Sequence, residues 1–384
     1  MRAITVSEVR LYPLHIPFVE PFVTSFGEEP FKAGVLVELH TTEGVTGWGE
    51  ASVEINPGYG SETVATGMHI LRHFLVPLVI GKRIDHPTQM PALLHPVRGS
   101  AHAKAGLEAA VWDAFAKAND MRLVDVFTQT LGDQHASRER ATVGVSIGIM
   151  DSLEQQLAIV RKRVAQGYAR IKLKIRPGWD VQVAAAVREA FPDILLMLDA
   201  NSAYSLADTD HLKALDAFNL LMIEQPLSHD DIHDHGILQA ALKTPICLDE
   251  SVKSAGDLKL ALKIGALKIL NLKPARVSGY TESLAIYKLC AEYHVPLWIG
   301  GMLECGIGRA GNVAIASLPA VTLPCDISAT DRYFTEDITE PPFVLNPDST
   351  ITVPTGPGIG VEVIEDRVKA SAERWAALNP YPVG

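Results

Sequence analysis

Charged residues recur along the middle of this chain at a nearly constant interval. Successive members of the series are separated by 25, 25, 25 and 24 residues: Lys174, Asp199, Glu224, Asp249 and Lys273. Each of them ends a short apolar run, and such runs are typical of buried parallel strands. The stretches between the runs, such as 181–190 and 255–264, have the hydrophobic period of amphipathic helices. One interval therefore holds a strand, a loop and a helix.

A regular repeat of strand and helix predicts an α/β fold of the (β/α)₈ or TIM-barrel type. The repeat continues to a preceding strand at 142–148 and to following strands at 296–300 and 321–325. Together with the five runs these make eight strands, and we expect a modified barrel whose final unit is altered or missing. The carboxyl ends of barrel strands converge on one mouth, where the five charges should meet. The alternative is that the five charges are solvated polar residues at strand ends and do not form a common site.

The remaining sequence predicts a capping domain and a tail. Residues 1–125 contain strands followed by helices, which predicts an α+β cap, and its helix at 103–118 is rich enough in alanine to pack closely on a neighbour. Residues 126–326 form the barrel with the active site. Residues 327–384 are expected to return to the cap and complete it.

Two segments of the cap, at 18–27 and 56–61, combine glycine, proline and aromatic residues. We predict loops here that cover the barrel mouth, and plain surface connections are the alternative. Because Phe22 and Tyr59 lie in these segments, we expect them to influence which substrate side chain is preferred.

Composition excludes several classes of protein. The 384 residues suffice for a barrel and a smaller domain, and the net charge of −11 comes without a long basic or acidic run, so we expect no nucleic-acid partner. No apolar leader and no run of about 18 apolar residues occurs, which predicts a cytoplasmic protein without membrane contact. The four cysteines are scattered and indicate neither a zinc site nor disulfides.

Three carboxylates at successive strand ends form a ligand set made only of oxygen. Asp199, Glu224 and Asp249 are predicted to bind Mg²⁺, with Mn²⁺ or another divalent cation as alternatives, because hard cations prefer oxygen ligands. Three acids so close together would repel one another strongly without a cation.

Lys174 and Lys273 precede and follow the acids, so in a closed barrel they should lie on opposite sides of the metal. Lys172 lies on the same face of its strand as Lys174 and, with the metal, would disfavour the protonated form of Lys174, as a base requires. Two opposed bases and a divalent cation fit removal of the proton α to a carboxylate, with the cation stabilising the enediolate. Reprotonation from the other face gives epimerisation, and loss of a β-leaving group gives elimination.

Further residues are candidates for substrate binding. Asn201 orients a ligand or caps the next helix, and Arg276 contributes to the site or pairs on the surface. The Gly-rich segment 300–312 leads into a helix whose backbone amides favour an anion, and a tight turn is the alternative. The predicted substrate-binding residues are Ser146, Asn201, Arg276, Gly301, Met302, Phe22 and Tyr59.

Short motifs accompany the ends of the predicted strands: Lys172-Leu-Lys174, Asp199-Ala-Asn201, Glu224-Gln-Pro226, Asp249-Glu-Ser251, Lys273-Pro-Ala-Arg276, and Gly300-Gly-Met-Leu-Glu304 with Gly306-Ile-Gly-Arg309. The set resembles the enolase superfamily, in its muconate lactonizing enzyme branch, over nearly the whole chain. Within that branch it is most similar to o-succinylbenzoate synthases and N-succinylamino acid racemases. One departure is Cys305, where relatives commonly carry a small hydroxyl residue such as Thr.

The resemblance implies an enolase-like fold and roles for the charged residues. Lys174 and Lys273 would be catalytic and transfer protons, Lys172 would support Lys174, and the three carboxylates would hold Mg²⁺. In a racemase both lysines would alternate as acid and base. In the synthase reaction, a syn dehydration, Lys174 would be the base while Lys273 would steady the enediolate as a cation. Arg276 matches a position associated in the family with the racemase activity, which favours that activity.

The expected function is therefore a Mg²⁺-dependent N-acyl (N-succinyl) amino acid racemase with o-succinylbenzoate synthase activity in the same site. Alternatives are the synthase of menaquinone biosynthesis as the main role, and a cycloisomerase or dipeptide epimerase of the same branch. A barrel that binds without catalysis is a further alternative. The expected partner is a small carboxylate substrate, an N-acyl amino acid or its cyclohexadiene analogue. The resemblance also implies a homo-oligomer, a dimer or an octamer.

Overall fold

A computed structural model of the protein describes residues 1–24, 27–132 and 136–378. The cap contains one antiparallel sheet with strand order β3-β2-β1-β4. Its strands are β1 (Ile4–Thr24), β2 (Gly27–Thr41), β3 (Thr46–Ala51) and β4 (Arg83–Ile84). Its helices are α1 (Val64–Ile70), α2 (Val76–Val79), α3 (Met90–Leu94), α4 (Ala101–Ala118) and α5 (Leu123–Leu131), with a π-helical turn (Leu71–Leu75) between α1 and α2.

The long hairpin of β1 and β2 corrects one prediction. Residues 18–24 and Gly27, which we predicted as part of a loop, lie in strands, with Phe22 opposite Glu29; residues 25 and 26 lie outside the described residues. The aromatic and β-branched residues of this segment favour a strand. The register shifts between Pro17 and Phe22, where Pro21 has no amide to donate to the ladder.

Helix α4 packs directly on β3, as its alanine content predicts. A Cβ atom at Gly49 would lie 2.0 Å from the carbonyl oxygen of Gly106 and 2.7 Å from the amide nitrogen of Ala110. Glycine is therefore required at Gly49 because the helix backbone occupies the space of a side chain.

Substitution of Gly49 by Ala should lower the free energy of unfolding by about 1–3 kcal/mol, because the added methyl group forces α4 away from β3. Denaturant unfolding followed by circular dichroism measures the change. The matched control is Gly256→Ala on the exposed side of a barrel helix, where the Cβ would be 3.4 Å from the Ser254 hydroxyl and should cost nothing. Equal stability of the two variants would contradict the close packing.

The middle of the chain forms a parallel sheet in which seven strands, β6 to β12, are neighbours in sequence order. The strands of this region are β5 (Arg140–Thr142), β6 (Val145–Ile147), β7 (Arg170–Lys174), β8 (Leu195–Asp199), β9 (Ile223–Glu224), β10 (Ile246–Leu248), β11 (Ile269–Leu272) and β12 (Leu297–Ile299). The helices between them are α6 (Leu153–Ala165), α7 (Val181–Ala190), α8 (Thr209–Leu212), α9 (His233–Ala241), α10 (Ala255–Ile264), α11 (Tyr280–Glu292) and α12 (Gly306–Ala316).

The segment 321–326 occupies the eighth position of the barrel. Val321 forms a bridge with Leu297 on β12, and Cys325 forms a bridge with Val143 next to β6. The amide of Asp326 donates to the carbonyl oxygen of Ile299 at 2.9 Å. The segment closes the ring through single bridges rather than a regular ladder, which confirms the predicted modified barrel.

The last elements are β13 (Thr339–Glu340), β14 (Thr350–Thr352), β15 (Glu362–Val363) and α13 (Glu365–Leu378). Helix α13 lies on β1, where the Ser371 hydroxyl accepts from the His15 amide at 2.8 Å and donates to the His15 carbonyl at 3.1 Å. The predicted boundary after residue 125 falls inside α5, and the division into three segments stays a prediction. Within the described ranges, no helix has the length and apolar character needed to cross a membrane.

Candidate active site

The five periodic charges lie where the barrel strands end. Lys174, Asp199 and Glu224 are the last residues of β7, β8 and β9, while Asp249 and Lys273 directly follow β10 and β11. Each is at most 8% exposed. Their predicted position at the carboxyl ends of the strands is confirmed, and their chemical roles remain predictions.

Lys174 is held by two oxygen atoms, one from the last residue of β8 and one from the loop that follows β8. Its ammonium group lies 2.7 Å from Oδ2 of Asp199 and 2.6 Å from Oδ1 of Asn201. Asn201 in turn donates from Nδ2 to Glu250 at 3.0 Å. The side chain of Asn201 therefore orients Lys174, and it does not cap the next helical turn, which begins after Ser205.

Lys273 has a corresponding environment on the other side of the barrel. Its ammonium lies 2.7 Å from Oδ2 of Asp249 and donates to the Tyr59 hydroxyl of the cap at 2.6 Å. Burial alone would lower the pKa of Lys273, but Tyr59 and Glu250 raise it above its usual range. Since β7 and β11 are four positions apart in an eight-membered ring, Lys174 and Lys273 face each other across the mouth.

Lys172 lies deeper in the barrel than the two other lysines and is surrounded by carboxylates. Its ammonium is 3.1 Å from Glu224 and 3.2 Å from Asp199, and it also pairs with Asp326. The ring of Trp298 lies 5.1 Å from the same ammonium. Burial alone would lower the pKa of Lys172, but Asp326, Glu224 and Asp199 together raise it above its usual range.

The three predicted metal ligands lie on adjacent strands. Asp199 and Glu224 are register partners, and Asp249 follows the strand that pairs with β9. Burial would raise the pKa of Asp199, but the ammonium groups of Lys174 and Lys172 hold it well below its usual range, whereas burial and the charge of Asp199 raise the pKa of Glu224.

A hard divalent cation fits the chemistry of this donor set, which consists of buried carboxylate oxygen atoms. Over the described ranges no three His, Cys, Asp or Glu side chains approach closely enough to hold a metal ion. The protein's own cations take the same oxygen atoms, since Lys172 lies between Asp199 and Glu224 while Arg276 pairs with Asp249. Binding of Mg²⁺ therefore requires these pairs to be exchanged for metal–oxygen contacts.

The mouth of the barrel opens into a cavity beneath the cap. The three lysines line it together with most of the predicted substrate-binding residues, namely Phe22, Tyr59, Ser146, Asn201, Gly301 and Met302. Phe22 and Tyr59 come from the two cap segments that we expected at the mouth.

Arg276 is the predicted substrate contact that the structure keeps out of this cavity. Its guanidinium pairs with Asp249 and donates to the carbonyl oxygens of Val252, at 3.0 Å, and Asn271, at 2.6 Å. The side chain lines a second cavity behind Tyr59. Arg276 is thus placed to position Asp249, and a contact with substrate stays a prediction.

The Gly-rich segment 300–312 was predicted either to bind an anion at the helix start or to form a tight turn, and the structure shows features of both. A Cβ atom at Gly300 would lie 2.2 Å from Oδ1 of Asn271, so glycine is required for close packing. The amides at the start of α12 do bind anions, but these are the chain's own carboxylates: Glu50 accepts from Cys305 at 3.1 Å, and Asp337 accepts from Gly306 at 3.0 Å. The anions that the amides at this helix start bind are therefore side chains of the cap and the tail.

Five residues of the cavity were missed by sequence reasoning: the acidic residues Glu29, Glu54 and Asp326, and also Leu303 and Tyr333. Asp326 follows the segment 321–325 and could have been found by extending the series of strand ends past Lys273. Burial would raise the pKa of Asp326, but Arg170 and Lys172 lower it to about 2. The two glutamates have no such signal, because nothing in the barrel repeat indicates which cap residues reach the mouth.

Comparison with known proteins agrees with this architecture. Residues 6–127 match the family of the mandelate racemase / muconate lactonizing enzyme N-terminal domain, and residues 156–367 match the enolase C-terminal domain-like family. The chain is 47% identical to an o-succinylbenzoate synthase from Geobacillus kaustophilus over 96% of both chains. It is 45% identical to an N-succinylamino acid racemase from Amycolatopsis over 94% of this chain and 95% of that protein.

A solved structure shows the same fold. The crystal structure of an enolase superfamily member from Listeria innocua matches 96% of this chain and 97% of its own, with a TM-score of 0.90 and 42% identity. The matches to the two domain families, the relatives similar over nearly the whole chain and the shared fold agree with one another. The chain belongs to the enolase superfamily of enzymes, in the branch of mandelate racemase and muconate lactonizing enzyme.

Proposed function

We propose that the protein is a Mg²⁺-dependent racemase of N-acyl, specifically N-succinyl, amino acids, with o-succinylbenzoate synthase activity in the same site. One observation carries the proposal: Lys174 and Lys273 face each other across a cavity, with three buried carboxylates on the strands between them. Relatives named for each activity, at 47% and 45% identity, support the pairing of the two reactions.

In the racemase reaction, one lysine accepts the α proton of the substrate at Nζ and the other donates a proton at the opposite face. The lysines must therefore begin each turnover in opposite protonation states. Asn201 and the Tyr59 hydroxyl hold the two amine nitrogens in place at 2.6 Å each. Mg²⁺ held by Asp199, Glu224 and Asp249 would stabilise the charge that develops on the substrate carboxylate.

The synthase reaction needs only one of the two faces. Lys174 takes the α proton and returns it on the same face to the β-hydroxyl group, which leaves as water, while Lys273 remains a cation that stabilises the negative charge on the enediolate form of the substrate. Racemisation is proposed as the main activity, and the synthase of menaquinone biosynthesis is the second candidate, favoured by the relative at 47% identity.

Exchange of the α proton tests the proposed function directly. With Mg²⁺ in deuterated water, N-succinyl amino acids of either hand should lose their α-proton NMR signal, and optical rotation should decay to zero. Absence of exchange from both hands would rule out the racemase. Formation of o-succinylbenzoate from its cyclohexadiene precursor, followed by ultraviolet absorbance, tests the synthase separately. A cytoplasmic location and assembly into dimers or octamers stay predictions.

A further inference from the structure

Two carboxylates of the cap line the active-site cavity without a cationic partner. Glu29 lies on β2 opposite Phe22, and Glu54 follows β3 in the segment that leads to Tyr59. Across the described part of the chain, no ion pair within 4 Å involves either carboxylate. Both acids therefore bring negative charge to the wall formed by the cap.

The nearby cations are already paired with other acids. Lys32, the cap lysine nearest in sequence to Glu29, lies 3.2 Å from Glu50 and donates to the carbonyl oxygen of Met302 at 2.8 Å. The three lysines that line the cavity contact Asp199, Glu224, Asp249 or Asp326. Glu29 and Glu54 are thus the cavity's unmatched charges.

The pKa values of the two glutamates are both raised, as expected for buried carboxylates without a cationic partner. Burial, followed by the charge of Glu54, raises the pKa of Glu29 to about 7. Burial also raises the pKa of Glu54, and the positive charge of Lys32 opposes this only in part. A cation placed between the two carboxylates would remove the repulsion between them and offset part of their burial penalty.

A separate observation shows that the same cavity is built for a polar ligand. Ser146 is 6% exposed and lines the cavity, and its hydroxyl oxygen has no hydrogen-bond partner among the described residues. Buried hydroxyl groups nearly always have a partner, so the missing partner is expected to come from the ligand.

We propose that the preferred substrate is an N-acyl amino acid with a cationic side chain, whose ammonium or guanidinium group is held by Glu29 and Glu54. The proposal rests on the proposed function, because it names the substrate class of the same site. The α-carboxylate would lie among the lysines of the barrel, and the aliphatic stem of the side chain would pass the rings of Phe22 and Tyr59. The negative end of such a substrate would face the lysines of the barrel, and its positive end would face the two glutamates of the cap.

Racemisation of N-succinyl-lysine and N-succinyl-norleucine tests the proposal, since norleucine has the same stem without the ammonium. We expect kcat/KM to favour the lysine derivative by at least about tenfold, which corresponds to about 1.4 kcal/mol. Glu54→Gln and Glu29→Gln should each reduce this ratio severalfold. The matched control is Glu28→Gln, an exposed neighbour on the same strand, which should leave the ratio as in the wild type.

The outcomes separate this inference from the proposed function. If norleucine is preferred, or the ratio does not change in either cavity variant, only the side-chain proposal is overturned. If neither derivative exchanges its α proton, the racemase function is wrong and the inference falls with it.

A dipeptide whose N-terminal ammonium replaces the succinyl group is a further substrate to compare. Its preference over N-succinyl-lysine would place the cation on the acyl group and overturn the side-chain assignment. Comparison of the two substrates on the wild-type enzyme remains decisive if a variant fails to fold.

Discussion

Lys174→Ala and Lys273→Ala should each abolish racemisation while exchanging the α proton of only one enantiomer. General acid–base catalysis contributes about 10²–10⁴-fold, so the loss in kcat should lie in this range or above it. Because the two lysines face each other across the cavity, each variant retains one base, which can reach the substrate from one face only. The two variants should therefore retain exchange with substrates of opposite hand.

The measurement is the rate of deuterium incorporation into pure L and pure D substrates, followed by NMR. Lys174→Arg separates the two functions of the side chain, since it keeps the positive charge but cannot act as a base near neutral pH. Lys288→Ala, at an exposed position of α11, is the control for loss of a lysine elsewhere. Loss of exchange for the same enantiomer in both alanine variants would show that the lysines do not act on opposite faces.

The part of this site that follows the barrel repeat could be predicted from sequence. A side chain at the carboxyl end of a parallel strand points to the mouth whatever the details of packing, so a spacing of about 25 residues is enough to bring Lys174, Glu224 and Lys273 together. Asp326 follows the last strand of this repeat, and the repeat predicted it less clearly than the other charged residues. Its segment 321–325 has the position of a barrel strand but pairs through single bridges rather than a ladder.

The contribution of the cap could not be predicted in the same way. Which cap residues reach the mouth depends on how two separately formed units dock, and contacts between distant parts of a chain leave no periodic pattern in the sequence. Glu50 illustrates the difficulty, since it binds the amide of Cys305 at 3.1 Å although 255 residues separate the two. The amides at the start of α12 indicated an anion correctly, but the sequence did not reveal that the anion is a side chain of the cap.

Removal of divalent metal should abolish activity without unfolding the protein. In the absence of metal the acids at the mouth retain protein cations: Lys172 bridges Asp199 and Glu224 at 3.2 and 3.1 Å, and Lys273 lies 2.7 Å from Asp249. These pairs compensate much of the repulsion that would otherwise destabilise the barrel. Treatment with a chelator should therefore leave the circular dichroism spectrum intact while α-proton exchange falls by several orders of magnitude.

Addition of Mg²⁺ should restore exchange and raise the melting temperature, because a ligand at about 100 times its Kd stabilises the folded state by about 2.7 kcal/mol. Glu224→Gln should weaken binding of Mg²⁺ in calorimetry and reduce kcat, since it removes a charged oxygen from the centre of the ligand set. Glu292→Gln makes the same chemical change at an exposed position of α11 and should alter neither quantity. If Glu224→Gln bound Mg²⁺ as tightly as the wild type, Glu224 would not be a ligand. The carboxylates would then serve only to hold the lysines, and charge stabilisation on the substrate would have to come from Lys172 and Lys273 alone.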